Sequence, residues 1–440
     1  MRRVDVVVVG AGPTGMGAAC RLAEQSARSW LLLEAAPVPG GAAGSWRDDQ
    51  GFLWDMGGHV LHSHFPYFDQ TIADAVSEWS YPVRDPAVWV GDRFVGAPVQ
   101  QHLDDLDVDV AGQIRKDLAD RNPEDRENLA EWFTDQFGPT LTALFFEPFN
   151  YKMWAYPPRM MDHSWTSLRS GSGARNVPEA GAPAPARAVE TFPYPRHGTG
   201  SMWADIMARL PQDHFRMNTR VTAVDLEAHV LTLDDGEQIG YGECISSIPL
   251  PTLLQGVAGH EDLRALVSGL HHSAVEVVGL GFEGPAPATL ADRSWIYTAD
   301  ADIALHRATI LSNYSDLVAG PGRWSILCEI GVSEFRPLDR ATLVGDCLAT
   351  MRRWGVESDP VSIETRFVPM GYPVPTLGRD EILTKVHEAL EQYGVRSRGR
   401  FGGWRYESCN QDYSFMQGAE AVDAITTGGA EDVFWHPERF

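Results

Sequence analysis

The chain has 440 residues, of which 44% are hydrophobic and 22% charged, and its formal net charge is −24. That length exceeds one simple core and predicts two or three domains. The composition excludes a disordered chain, and the acidic balance excludes a nucleic-acid partner, which needs a basic face, although a local arginine cluster can still hold a phosphate. Five cysteines, an odd number without a CxxC pair, exclude a disulfide framework or zinc knuckle and fit a reducing cytoplasm.

The chain opens MRRVDVVVVGAGPTG. A basic start before an apolar run imitates a signal peptide, but the run is short, meets a glycine-rich turn and lacks a small-residue cleavage site. No stretch approaches ~20 apolar residues, so no membrane span is expected. Residues 4–9 (VDVVVV) read as a buried parallel strand. Gly10–Gly15 is a turn, 15–26 a helix with small residues at its start, and 30–34 (WLLLE) a second strand, which together make a βαβ unit. The segment 51–59 (GFLWDMGGH) is a short strand running into a double-glycine turn. Helical patterns fill 105–150, and 170–190, rich in Gly, Pro and Ala, reads as a mobile loop or linker. Strand signals return over 220–247, with a turn at Asp235-Gly236, and again at 274–282, 307–314 and 323–331. Residues 379–393 read as a helix, and AEAVDAI, near the C-terminus, as another.

Gly10, Gly12 and Gly15 form GxGxxG. The first glycine permits the tight turn, the second lets backbone approach a pyrophosphate, and the third lets the helix pack on the strand. The helix start then offers free N–H groups and partial positive charge to the anion. Glu34 ends the second strand about twenty residues on, where a carboxylate meets ribose hydroxyls. Gly40 and Gly41 follow it, and an acid followed by GG points to FAD rather than NAD.

Further segments carry a more specific signal: FLWDMGGHVLHSHFPYFD around Gly58, FFEPFNYKMWAYP (145–157), HRATILSNYS (306–315), GYPVPT (371–376) and GRFGGWRYESCNQDYSFMQG (399–418). Together, and in this order along nearly the whole chain, they resemble the UDP-galactopyranose mutase family, especially its fungal type. The resemblance implies an isomerase that interconverts pyranose and furanose forms of a nucleotide-linked hexose. In such enzymes reduced FAD attacks the anomeric carbon and displaces the diphosphate without net redox change. NAD(P)H is the implied flavin reductant, and the enzyme is implied to be a cytoplasmic monomer or homo-oligomer. The fold implied is α/β. A Rossmann-type dinucleotide domain is built from 1–95, 195–250 and 395–440, a mainly helical domain with a mobile flap from 100–190, and an antiparallel substrate sheet from 250–395.

Carried over by position, Arg307 pairs with the diphosphate and Arg169, on the flap, is a second such arginine. Guanidinium suits this role because it binds phosphate in bidentate fashion. Tyr314, Tyr372 and Tyr406 are implied diphosphate donors; Gln100, Trp295, Tyr297 and Asn313 are further implied substrate contacts. His59 stands beside the flavin, and Asn410 and Gln411 hold it from the C-terminal segment.

Three departures from the family pattern are visible. Ala97 and Val99 replace aromatic residues near Gln100, which enlarges a nucleobase pocket and suggests GDP in place of UDP. Cys409 replaces a glycine, where a side chain could obstruct flavin, and Ala42 replaces a Leu. His62 joins His59 and His64; as neighbours on one strand face, His62 and His64 could bind a divalent metal. Alternative readings are therefore an FAD-dependent oxidoreductase of the amine oxidase or desaturase type, a flavin-independent, metal-assisted GDP-sugar mutase, and a non-catalytic nucleotide-sugar binder.

Overall fold

The computed structural model describes residues 1–25, 28–121, 124, 126–168 and 190–440. Its first sheet grows from the valine run. Strand Arg2–Val9 is central, pairing in parallel with Trp30–Leu33 on one side and Gln238–Ser246 on the other. Phe215–Arg216 extends one flank and Val395–Ser397 pairs with Gln238–Ser246, both in parallel. Val230–Leu233 and Val221–Asp225 complete the sheet in antiparallel.

Alternation along the first strand serves two cores. Val6 and Val8 pack with Met16, Ala19 and Leu22 of helix Pro13–Glu24, while Val7 and Val9 face Leu250, Leu253, Leu383 and Leu390. Burial on both faces is why the strand reads as a continuous apolar run, each such side chain contributing about 1.5–3 kcal/mol.

The second sheet runs in the order Ser362–Pro373, His272–Glu283, Arg323–Val332, Arg307–Thr309, Trp295–Thr298, Ala87–Val90, Arg93–Gly96. Its pairs are antiparallel except Ala87–Val90 with Trp295–Thr298. Helices Val108–Asp120, Leu129–Leu141 and Glu147–Trp154, with the helical turn Thr142–Phe146 between the last two, contribute Ile114, Phe133, Phe137, Phe145 and Trp154 to one apolar cluster with Trp295, Tyr314 and Tyr372 of this sheet's side.

The structure departs from the expected segments at definite places. Strand Ala87–Val90 and all but the last residue of Arg93–Gly96 fall within the expected first segment, yet belong to the second sheet. Helices Leu250–Gln255, Glu261–Val267 and Arg379–Gln392 fall within the expected substrate segment, yet pack on the first sheet. Strand Ser362–Pro373 was not predicted; it is a sheet edge bearing Pro369, and such positions mask strand pattern. The helix expected at AEAVDAI begins earlier, at Gln411, and runs to Thr427. Among the described residues no helix is long and apolar enough to cross a membrane. All five cysteines are buried and free.

Candidate active site

The dinucleotide turn has the geometry its glycines predict. Gly10 sits at φ +100°, a left-handed conformation that favours glycine. A Cβ on Gly15 would lie 1.8 Å from the Gly10 carbonyl oxygen, so no other residue lets the helix pack there. A Cβ on Gly12 would meet only the Gly40 oxygen, at 3.9 Å, so open space adjoins the helix start. Gly12 caps helix Pro13–Glu24 without a side-chain hydrogen bond, and Pro13 has no N–H to lose. The Glu34 carboxylate accepts the N–H of Ala11 at 2.6 Å and of Ala36 at 2.7 Å, which fixes it beside the turn. Gly40 donates its N–H to the Ala11 carbonyl at 2.8 Å, and Gly41 lies against Gly12.

Asn410 and Gln411 stand at the start of helix Gln411–Thr427. This helix runs beside Pro13–Glu24 in the same direction, with Gly418 against Thr14, Arg21 on Asp423 and Gln25 on Thr426. Two N-terminal ends therefore open on one side of the unit, each carrying partial positive charge. The Gln411 side-chain Oε1 accepts the Trp203 indole N–H at 3.1 Å. This donor set fits a dinucleotide whose pyrophosphate meets the first helix and whose ribose meets Glu34. Cys409 does not stand in the way as expected. Its Sγ is buried 3.5 Å from the Gln417 amide nitrogen, and burial pushes the thiol up to about 11. Gln417 also accepts the Gly399 N–H and donates to the Ser408 carbonyl, so protein alone houses the thiol.

The double-glycine turn follows strand Leu53–Asp55. Buried Asp55 accepts the hydroxyls of Ser45 (2.5 Å), Tyr194 (2.9 Å) and Thr199 (3.0 Å), anchoring the turn's start. A Cβ on Gly58 would lie 2.3 Å from the Thr309 hydroxyl, so the loop is threaded tightly against the second sheet. The His59 Nε2 lies 3.1 Å from the Ala42 carbonyl. Burial lowers the His59 pKa, Asp55 opposes that and Arg307 adds to it, so the ring is neutral at pH 7.

Across the turn, Arg307 forms a two-pronged ion pair with Glu329, Nε to Oε2 at 2.5 Å and Nη2 to Oε1 at 2.8 Å. The Gly58 N–H also donates to Glu329, at 3.3 Å. The carboxylate is 4% exposed and the guanidinium 23%. Burial opposes both charges, but the pair more than offsets it, leaving Arg307 raised and Glu329 lowered. Guanidinium has five N–H donors, so three remain beyond the two on Glu329.

Tyr297, Tyr314 and Tyr372 are close enough to feel the Arg307 charge. Burial raises the pKa of all three phenols, so each remains a neutral donor. Tyr406 meets Tyr372 edge-on at 5.4 Å, and Trp295 meets Tyr297 at 6.4 Å. Tyr314 is 1% exposed and packs on Phe192 and Tyr194, so it builds the wall more than it faces the opening. Asn313 stands apart: its amide nitrogen donates to the carbonyls of Ala291 and Arg293, both at 2.8 Å. Gln100 is buried on the short turn Val99–Gln101. Arg169 lies outside the described residues.

The proposed metal ligands do not converge. Residues 56–65 form no strand, so the alternation that placed His62 and His64 on one face does not hold. His59 points to Ala42, while His64 Nδ1 lies 2.9 Å from buried Asp412. Among the described residues no group of three His, Cys, Asp or Glu can hold a metal ion.

Sequence reasoning missed Glu329, Asp55 and Arg400. Arg400 lies over the Tyr406 ring at 5.0 Å and donates to the Cys409 carbonyl at 3.1 Å. Glu329 had a legible signal, as a lone acid within the apolar strand Arg323–Val332. So did Asp55, beside apolar LW.

Residues 13–380 match the family model of flavin containing amine oxidoreductases. A crystal structure of reduced UDP-galactopyranose mutase superposes over 99% of this chain and 97% of its own, with TM-score 0.93 and 34% identity. The chain belongs to the UDP-galactopyranose mutase family. Putrescine oxidase bound to putrescine (15% identity, TM-score 0.67, 96% and 99% of the two chains) shares the fold alone. So does cyclohexylamine oxidase of Brevibacterium oxydans (14%, TM-score 0.67, 96% and 98%). The 15-cis-phytoene desaturase of Glycine max is 33% identical over 67 residues, which span 15% of this chain and only 12% of that protein. What separates the mutase likeness from the two oxidases is its identity, 34% against 14–15%, and its TM-score, 0.93 against 0.67.

Proposed function

We propose that this chain interconverts the pyranose and furanose forms of a hexose carried on a nucleoside diphosphate, with FAD as cofactor. The observation that carries the reading is Arg307. Its fork is held by Glu329 and its three remaining N–H groups lie among neutral phenols, an arrangement suited to a diphosphate dianion. The full-length likeness to a UDP-galactopyranose mutase supports it. Gly12, Gly15, Glu34, Asn410 and Gln411 would hold FAD. Reduced FAD, when bound, supplies a nucleophilic centre for the anomeric carbon. Arg307 grips the diphosphate and stabilises its charge as it leaves and returns. Tyr297, Tyr372 and Tyr406 donate hydrogen bonds to it, and Arg169 is our second guanidinium ligand. The aromatic wall of Trp154, Trp295 and the tyrosines keeps water from the reacting sugar. Asp55 and Glu329 hold the Gly57–His59 turn between cofactor and substrate sides.

The test is chromatography of nucleotide hexopyranoses after incubation with flavin-loaded protein, with and without dithionite. Furanose formed only after reduction supports the reading. Peroxide release from amines without sugar conversion would replace it with an oxidase.

Our reading of the nucleotide is GDP. Ala97 is half-buried and offers space where a larger ring would not, whereas Val99 is 1% exposed and opens none, so the argument rests on Ala97. Isothermal titration with GDP and UDP decides it, and a clear preference for UDP ends it.

A further inference from the structure

Lys152 lies on helix Glu147–Trp154, only 4% exposed, against the loop joining Trp295–Thr298 to Arg307–Thr309. Its Nζ donates to the Thr298 hydroxyl at 2.9 Å, the Asp300 carbonyl at 3.0 Å and the Thr298 carbonyl at 3.3 Å. All three acceptors are neutral. Burying an ammonium on neutral partners is unfavourable, and an apolar side chain would fill the space without that penalty.

What Lys152 holds is the hairpin behind Arg307. The Thr298 N–H donates to the His306 carbonyl at 3.0 Å, and its hydroxyl donates to the Leu305 carbonyl. The next residues along, Tyr297 and Arg307, are direct cross-strand partners. The same helix shapes the rest of the pocket: Phe149 meets Tyr297 at 5.2 Å, and Trp154 meets Tyr406 at 4.9 Å. A Cβ on Gly331 would lie 2.4 Å from the Lys152 carbonyl, so glycine lets the helix seat two residues from Glu329.

We propose that Lys152 is a positioning residue for the Arg307 site: its three-pronged grip on Thr298 and Asp300 sets where Tyr297 and Arg307 stand, and losing its proton weakens the site's hold on an anionic ligand. The proposal rests on the reading of Arg307 as the diphosphate ligand. Burial, helped by Arg336 and opposed by Asp300 and Asp302, lowers Lys152 to about 7. Of the other groups facing it, Arg336 donates to the Gly331 and Ala304 carbonyls, and burial holds His306 neutral down to about 3. Asp302 pairs with Arg353, and the Asp300 carboxylate accepts the Gly91 N–H. Near neutral pH, Lys152 is therefore the group in this set that changes charge. An ammonium has three N–H for three acceptors; the neutral amine has two, and the positive charge behind the site is gone. Affinity for the anion thus falls as pH rises through about 7. Fold stability moves the opposite way. From about 7 up to the ordinary 10.5 the unfolded chain binds the extra proton, so stability rises with pH there.

The test measures affinity for UDP-galactose and GDP-mannose, neither of which titrates near neutrality, between about pH 6 and 8.5. Reduced flavin-loaded wild type is compared with Lys152→Met and Lys152→Gln. We expect wild-type affinity to fall about tenfold across that range, and both variants to be about tenfold weaker at the acid end and flat. Binding by folded variants that matches wild type in strength and pH profile overturns the proposal. If neither variant folds, a flat wild-type profile overturns it by itself. Failure of wild type to bind either nucleotide sugar overturns the proposed function and this inference together; binding that the variants leave unchanged overturns only this inference.

Discussion

Replacing Arg307 separates its two tasks, holding Glu329 and holding the ligand. In Arg307→Lys the buried carboxylate keeps a counter-charge, but an ammonium cannot serve Glu329 and a diphosphate with paired donors at once. The loss is about two charge-assisted hydrogen bonds to the ligand. At about 1.5–3 kcal/mol each, even partial loss weakens binding roughly a hundredfold. In Arg307→Met the carboxylate at 4% exposure loses its counter-charge and keeps the Gly58 N–H, which costs about 3–5 kcal/mol of stability. The pH dependence gives a second reading. In the wild type Glu329 is lowered from 4.5, so the pair's contribution is present above that value and is lost as pH falls through the lowered one. In the Met variant only the Gly58 N–H is left to counter burial, so Glu329 is raised relative to the wild type, and the defect is full at neutral pH and shrinks on acidification. The assays are titration calorimetry with nucleotide sugar, and urea unfolding followed by tryptophan fluorescence at neutral and mildly acidic pH. Unchanged nucleotide-sugar affinity in Arg307→Lys would refute the ligand assignment. A stability gap between wild type and Arg307→Met that does not narrow on acidification would refute the account of the pair.

Gly15→Ala places a carbon 1.8 Å from the Gly10 carbonyl oxygen, so the purified variant should lack flavin absorbance near ~450 nm; normal flavin content would show that the turn is not the cofactor site. The double variant His62→Ala, His64→Ala should keep mutase activity within roughly threefold of wild type and be indifferent to chelator. Loss of activity restored by a divalent metal would reinstate the metal reading.

Much of the fold was legible from local chemistry. The run Val6–Val9 is β-branched and buried on both faces, Gly10 takes the left-handed turn conformation, and Gly15 meets a steric demand five residues away, at the Gly10 carbonyl. Glu34 follows at the end of the next strand, so turn, helix and acid come from one short stretch. The fate of Ala87–Gly96 was not legible. Ala87–Val90 pairs with Trp295–Thr298, some two hundred residues on, and carries Arg93–Gly96 with it at the sheet edge, and nothing in their own pattern tells one sheet from another.

The site divides in the same way. By itself, the sequence determined the residue types a phosphate-handling pocket needs, Arg307 and its tyrosines, because motif and chemistry are local properties. Only tertiary structure decided their company. Glu329 meets Gly58 and Arg307 through strand packing, Asn313 turns to the Ala291 and Arg293 carbonyls, and His64 swings to Asp412 more than three hundred residues away. Spacing in HVLHSH could not foresee this, since a metal triad depends on where side chains point, and that direction is set by long-range burial and hydrogen bonding rather than by neighbours in the chain.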